Sequence, residues 1–276
     1  MLARPLVAAL ARGRRLTVGG PRWCEDLYGD LVDRISGPIP PPDADVAVLC
    51  KPAFRAAWQA RGVRRRVGWP TDHRRLLLTD VVKQPDGHRA DAYAALGRAV
   101  GERVDGLPSL PCSPGPGDGA GVALLPFSAS GATVDWQGYR HLADALAEKG
   151  VRVCFVGGPG DEDRLAGLAG PHRVVPTLGV AQVAALLAGA DAVVGNDSGL
   201  THLAAAARRG AGRRVDAVVG IAGSTSPART GAPGARWLQA PAPDCAPCYR
   251  KTCGVGLGCL ELPVSDVLHT VFDVLS

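Results

Sequence analysis

The chain has 276 residues, of which 46% are hydrophobic and 21% charged, with a net charge of +5. That length gives one large or two medium domains real cores, and the balance is that of a globular chain rather than a disordered one. No apolar run reaches the roughly 20 residues of a membrane span and no signal peptide precedes the first helix, so a cytoplasmic protein is expected.

The charge is uneven. Residues 1–107 hold 18 Lys/Arg against 12 Asp/Glu, and residues 108–276 hold 13 against 14. The excess concentrates at Arg64–Arg66 and Arg74–Arg75, which reads either as a solvated basic face or as a field that steers an acidic partner. No base-stacking aromatics interleave with these arginines, so nucleic acid is not expected.

In chain order, Met1–Arg12 reads as a helix with Leu2, Leu6 and Leu10 on one side. Arg15–Gly19 is a short strand and Glu25–Ile35 a helix with Leu27 and Leu31 inward. Asp45–Cys50 is a continuous apolar strand of the buried, parallel kind. Helix Phe54–Arg61, strand Arg65–Gly68 and helix His88–Val100 follow. The alternation predicts a doubly wound α/β domain, although such a domain normally opens on a strand and this one opens on a helix.

Residues 108–121 are rich in Pro and Gly, as a linker is. After them the alternation restarts with strand Val122–Pro126, helix Trp136–Lys149, strand Val151–Val156 and helix Asp161–Ala169. Strand Arg173–Pro176, helix Val180–Ala188, strand Asp191–Gly195, helix Leu200–Arg209 and strand Val215–Ile221 complete it. Five strands with crossovers predict a second Rossmann-like domain over residues 122–276, closed by an amphipathic helix at Val264–Leu275. The expectation is two α/β domains facing each other across a cleft, with a ligand at the C-terminal ends of the second-domain strands.

Those ends carry small, polar turns: Phe127–Gly131, Gly157–Gly160 with Asp161 and Glu162 behind it, and Gly223–Pro227. The most informative is Gly195–Gly199, where a strand breaks into an alanine-rich helix. Its backbone N–H groups and the positive helix end suit a diphosphate. Asn196, Asp197 and Ser198 are also good cap residues, so a capped helix explains them alone. His202, one turn in at the helix opening, favours a binding site.

The run Asp197-Ser198-Gly199-Leu200-Thr201-His202 before an alanine-rich helix resembles the signature of glycosyltransferase family 9, the lipopolysaccharide heptosyltransferases. Leu187–His202, Ser128–Trp136 and Gly223–Pro227 are similar to further family segments, as in the first half are Leu16–Val18, Val67-Gly68 and His88–Gly97. The resemblance implies a GT-B fold and inverting transfer of a sugar, usually heptose from ADP-heptose, with no metal or other cofactor required. It implies that Asp197, Ser198, Gly199 and His202 cradle the diphosphate and sugar. Ser128 and Ser130 would lie by the phosphates, and Asp161 or Glu162 by the ribose. Asp197 is expected to cap the helix or bind sugar hydroxyls, since two anions repel.

Two departures stand out. Where the family has a lysine before the tryptophan, this chain has Thr133-Val134-Asp135. The family's general base, an aspartate in a Gly-Asp turn after the first strand, would fall upstream of Met1. The expectation is a misassigned start with that strand encoded upstream, the alternative being a catalytically impaired, truncated nucleotide-sugar-binding protein. The acceptor is expected to be a glycan, a lipid-linked glycan or a small molecule, anionic or neutral, and membrane contact at most peripheral, for a monomer. Finally, Cys245, Cys248, Cys253 and Cys259 admit either a closed zinc or iron–sulfur site or reduced thiols in a packed loop. Their spacing fits no standard zinc ribbon, and no bound metal is expected.

Overall fold

The computed structural model describes residues 1–115, 121–128, 131, 133–241 and 243–276. It divides into two compact units, Met1–Pro108 and Ser109–Ser276. No helix among the described residues is long and apolar enough to cross a membrane.

The first unit contains α1 (Arg4–Leu10), β1 (Thr17–Gly19), α2 (Cys24–Tyr28), β2 (Arg34–Ser36), β3 (Val46–Leu49), α3 (Phe54–Gln59), β4 (Arg65–Gly68), β5 (Asp80–Val81) and α4 (Arg89–Ala99). Its sheet is in two parallel pieces, β1-β2 and β3-β4-β5. The core joins Leu6 and Leu10 of α1 to Val67, Trp69, Ala92 and Leu96. Arg74 has no exposed surface and donates to the carbonyls of Trp69 (2.8 Å), Lys51 and Leu49. It therefore staples the C-terminal ends of β3 and β4, because a buried guanidinium must find an acceptor for its N–H groups.

The predicted helix Glu25–Ile35 is corrected: it stops at Tyr28, and Arg34–Ser36 pairs with β1 as a strand. Asp33 explains the switch, since its carboxylate accepts from the Leu16 N–H at 2.7 Å and draws the chain alongside β1. Leu27 is buried, whereas Leu31 lies beyond the helix.

The second unit contains β6 (Val122–Leu125), α5 (Tyr139–Glu148), β7 (Val153–Phe155), α6 (Glu162–Ala169), β8 (Arg173–Val174), α7 (Val180–Gly189) and β9 (Ala192–Asn196). Then come α8 (Gly199–Gly210), β10 (Val218–Ala222), α9 (Pro227–Thr230), β11 (Arg236–Gln239) and α10 (Val264–Leu275). Its six strands are parallel in the order β11-β10-β9-β6-β7-β8, one strand more than the sequence reading gave. Residues 109–115, read as linker, are held here: Leu110 N–H donates to the Ala206 carbonyl and Gly115 N–H to that of Ala185, both at 2.9 Å.

β6, β9 and β10 are buried at every position, which is why they read as unbroken apolar runs. Val122, Leu124, Ala192, Val194, Val219 and Ile221 share one core with α5, α6 and α10. The alanines of α8, buried from Ala204 to Ala207, let it lie close to α7.

From β6 the chain winds outward through β7 to β8, then returns past β6 to β9 and winds the other way. The order reverses between β6 and β9, and at such a switch point the loops diverge and leave a crevice at the strands' C-terminal ends. Gly195 is required there, because a Cβ would overlap Thr201 Oγ1 and stand 3.0 Å from Leu125 Cβ. Gly195→Ala is expected to destabilise the protein by about 1–3 kcal/mol through overpacking. Urea unfolding measures it, and a cost near zero would contradict the close approach.

Candidate functional site

The β6–β9 crevice is built around Asn196, which has no exposed surface. Its Nδ2 donates to the Pro126 carbonyl (2.7 Å) and to Asp135 Oδ1 (3.4 Å). Its Oδ1 accepts from the Trp136 N–H (3.2 Å) and the Tyr139 hydroxyl (3.0 Å). Asn196 is thus a strut that fixes the loop after β6 to the end of β9. Thr201 Oγ1 donates to the Asn196 carbonyl at 2.5 Å and ties the first turn of α8 to the same point.

α8 begins at Gly199 with Ser198 as an extended N-cap, φ −139° and ψ 168°, and carries no side-chain cap. Its leading N–H groups have no intrahelical acceptor. Ser198 Oγ is buried without a hydrogen-bond partner among the described residues. A buried hydroxyl left unmatched beside free amides is unusual for a structural position and natural for one that receives a ligand.

Asp197 turns away from the helix rather than capping it. Its side chain is 6% exposed; Oδ2 accepts from Thr230 Oγ1 at 2.9 Å and Oδ1 lies 3.4 Å from His202 Nε2. Burial would raise this carboxyl, but His202 and the Thr225 and Thr230 hydroxyls outweigh it and hold the pKa below its ordinary value. Asp197 therefore orients His202, whose side chain is 15% exposed beside the helix opening.

On the β6 side, Asp135 is buried and accepts from the Ser128 side chain and N–H. Burial raises its carboxyl, and Ser128 and Arg164 offset only part of that. The Ser128 hydroxyl is engaged within the loop, and Ser130 lies outside the described residues.

Arg164, on α6, is a cation beside the loop after β6 that the sequence does not single out. Its guanidinium sits 3.7 Å from the Phe127 ring centroid, 3.4 Å from Asp135 Oδ2 and 3.2 Å from Asp161 Oδ1. It is half exposed, so its remaining N–H groups are open to solvent. An Arg three residues after Asp161 reads in sequence as an ordinary helix-surface pair; its reach to Phe127 needs the fold.

The two ribose candidates differ. Asp161 closes the Gly157–Gly160 turn by accepting from the Gly158 N–H at 3.0 Å and also pairs with Arg164. Glu162 is exposed and accepts from Thr177, which lowers its pKa.

The cysteine-rich segment is hydrogen-bonded to both neighbouring loops. Thr133 Oγ1 donates to the Arg250 carbonyl at 2.6 Å and the Tyr249 N–H to that of Ser224 at 2.9 Å. Burial, then the nearby Cys248, Cys245 and Cys253 thiols, push the Cys259 thiol up. Among the described residues no group of three or more His, Cys, Asp or Glu side chains is arranged to hold a metal ion.

The sequence profile of glycosyltransferase family 9 (heptosyltransferase) matches residues 115–257. Lipopolysaccharide heptosyltransferase 1 of Pseudomonas aeruginosa is 38% identical over 121 residues, 42% of this chain and 32% of that enzyme. The aligned segment thus spans about a third of that relative's length. The structure of E. coli ADP-heptose lipopolysaccharide heptosyltransferase II superposes with a TM-score of 0.74 at 20% identity, covering 99% of this chain and 94% of that one. That of E. coli heptosyltransferase WaaC with ADP gives 0.68 at 18% identity, covering 99% and 95%. These likenesses show an α/β fold of the GT-B type with Rossmann-like domains. With the profile spanning more than half of its length, the chain belongs to glycosyltransferase family 9.

Proposed function

We propose that this protein transfers a sugar, heptose from ADP-heptose, with inversion to a glycan, lipid-linked or small-molecule acceptor. The observation that carries the reading is the uncapped N-terminus of α8, with the unmatched Ser198 hydroxyl, at the switch point of the second unit. Support for the donor comes from relatives described as binding ADP or acting on ADP-heptose.

In this reading the Gly199, Leu200 and Thr201 N–H groups and the Ser198 hydroxyl hold the diphosphate. Arg164 meets its other side, in place of the lysine lacking at Thr133–Asp135. Donors fixed before the reaction cost no reorganisation as charge builds on the departing diphosphate. His202, held by Asp197, donates to the same oxygens or to the sugar. Asp197 itself stays off the phosphates because His202 and Thr230 occupy its carboxylate. Glu162 takes the ribose hydroxyls, since Asp161 is committed to its turn. A base on the acceptor side takes the acceptor's proton as the new bond forms on the sugar face opposite the leaving group.

Isothermal titration with ADP tests the site. The protein is expected to bind ADP, and Arg164→Ala to weaken it about tenfold, the size of one charge-assisted hydrogen bond at a partly exposed position. Unchanged affinity would remove Arg164 from the site. Product analysis with ADP-heptose and candidate acceptors then separates transfer from binding: ADP affinity without turnover on any acceptor would leave a nucleotide-sugar-binding protein.

Asp135 gives a pH prediction. Its folded pKa lies above the unfolded value of 3.8, so its ionised form costs stability, a cost absent below 3.8 and complete once pH exceeds the raised value. Asp135→Asn is therefore expected to gain on the parent protein as pH rises from below 3.8 to neutrality. The lost pairing with half-exposed Arg164 offsets little of this. Urea midpoints across that range measure it, and a gap that stays constant would contradict it.

A further inference from the structure

The basic half of the chain carries a second surface, built on α3. α3 is built inside out. It buries the small residues Ala57 and, just past its end, Ala60 against Leu49 and Leu78, and leaves its aromatic residues outside. Phe54 is 43% and Trp58 50% exposed, their rings stacked 6.2 Å apart. The turn Arg74–Leu77 packs beside α3 and presents Leu76, 94% exposed. A helix that turns its large apolar side chains to solvent is missing a partner.

The charges around these side chains state what kind. Residues 51–80 hold eight Lys/Arg against Asp72 and Asp80, an excess greater than the +5 of the whole chain. Lys51, Arg55, Arg61, Arg64 and Arg75 are all exposed, and none has an acidic partner among the described residues. Asp72 is occupied by the Phe54 N–H at the start of α3, and Asp80 by Arg65. Arg61 lies over the Trp58 ring, 4.6 Å from its centroid, so apolar and cationic groups are interleaved on one face, which corrects the expectation that aromatics stand apart from the arginines of this half.

From this we infer that the α3 face docks on an anionic phospholipid surface. Trp, Phe and Leu side chains enter the headgroup boundary while the arginines stay level with the phosphates. A nucleic acid would use the arginines and the aromatic faces but offers nothing to Leu76, an aliphatic tip beside the aromatics. The patch lies wholly in the first unit and does not depend on the reaction proposed for the second.

The test is co-sedimentation of the full chain with phosphatidylcholine vesicles, with and without phosphatidylglycerol. Binding to the anionic vesicles is expected at least about tenfold tighter than to the neutral ones, each unpaired cation adding about fivefold near a charged surface. The triple variant Phe54→Ser, Trp58→Ser, Leu76→Ser is expected to lose at least about tenfold while keeping its ADP affinity. Quenching of Trp58 emission by brominated lipid, read as the difference between the parent protein and Trp58→Phe, tests insertion without the triple variant. No binding to anionic vesicles, undiminished binding by the triple variant with Trp58 unquenched, or displacement from vesicles by a single-stranded oligonucleotide at lower concentration would overturn the proposal.

Discussion

Asn196 commits its whole amide to one task. Two donors and one doubly accepting oxygen join the end of β9 to Pro126, Asp135, Trp136 and Tyr139. It does so with no contact to water, so losing any one of these bonds leaves a buried polar group unmatched. The strut lies at the one place where the strand order of the second unit reverses. It fixes the loop after β6 and the mouth of α8 relative to each other, and the geometry of the candidate site follows from that pairing.

The local electrostatics present a problem that the structure solves by pairing. The candidate site brings Asp135, Asp161 and Asp197 close to the crevice, where unpaired carboxylates would repel a diphosphate strongly. Asp197 is held by His202 and Thr230, Asp135 by Ser128 and Arg164, and Asp161 by Gly158 and Arg164. Each carboxylate thereby orients a donor instead of facing the crevice alone. Arg164 serves two of them and is seated on the Phe127 ring, so its guanidinium is positioned before any ligand arrives.

Much of this was legible in the sequence because burial in a parallel sheet writes itself as apolar runs. β6, β9 and β10 and the break at Gly195–Gly199 were visible for that reason. β2, β5 and β11 were not: Arg34-Ile35-Ser36, Asp80-Val81 and Arg236–Gln239 are short, polar and defined only by the strand beside them. Of the two roles the sequence allows Asp197, the helix cap is not realised, because cap propensity is local whereas Thr230 reaches it from 33 residues away. Arg164 escaped notice for the same reason. The outward aromatics of α3 could be seen only once Ala57 and Ala60 were placed in the core.

The amides opening α8 are proposed to receive a nucleoside diphosphate. Amide NMR of the protein during titration with ADP reads this directly. The N–H resonances of Gly199, Leu200 and Thr201 are expected to shift together and saturate at one dissociation constant, with those of Phe127 and Ser128 following. Saturable ADP binding that leaves these α8 amides unmoved while others shift would contradict it.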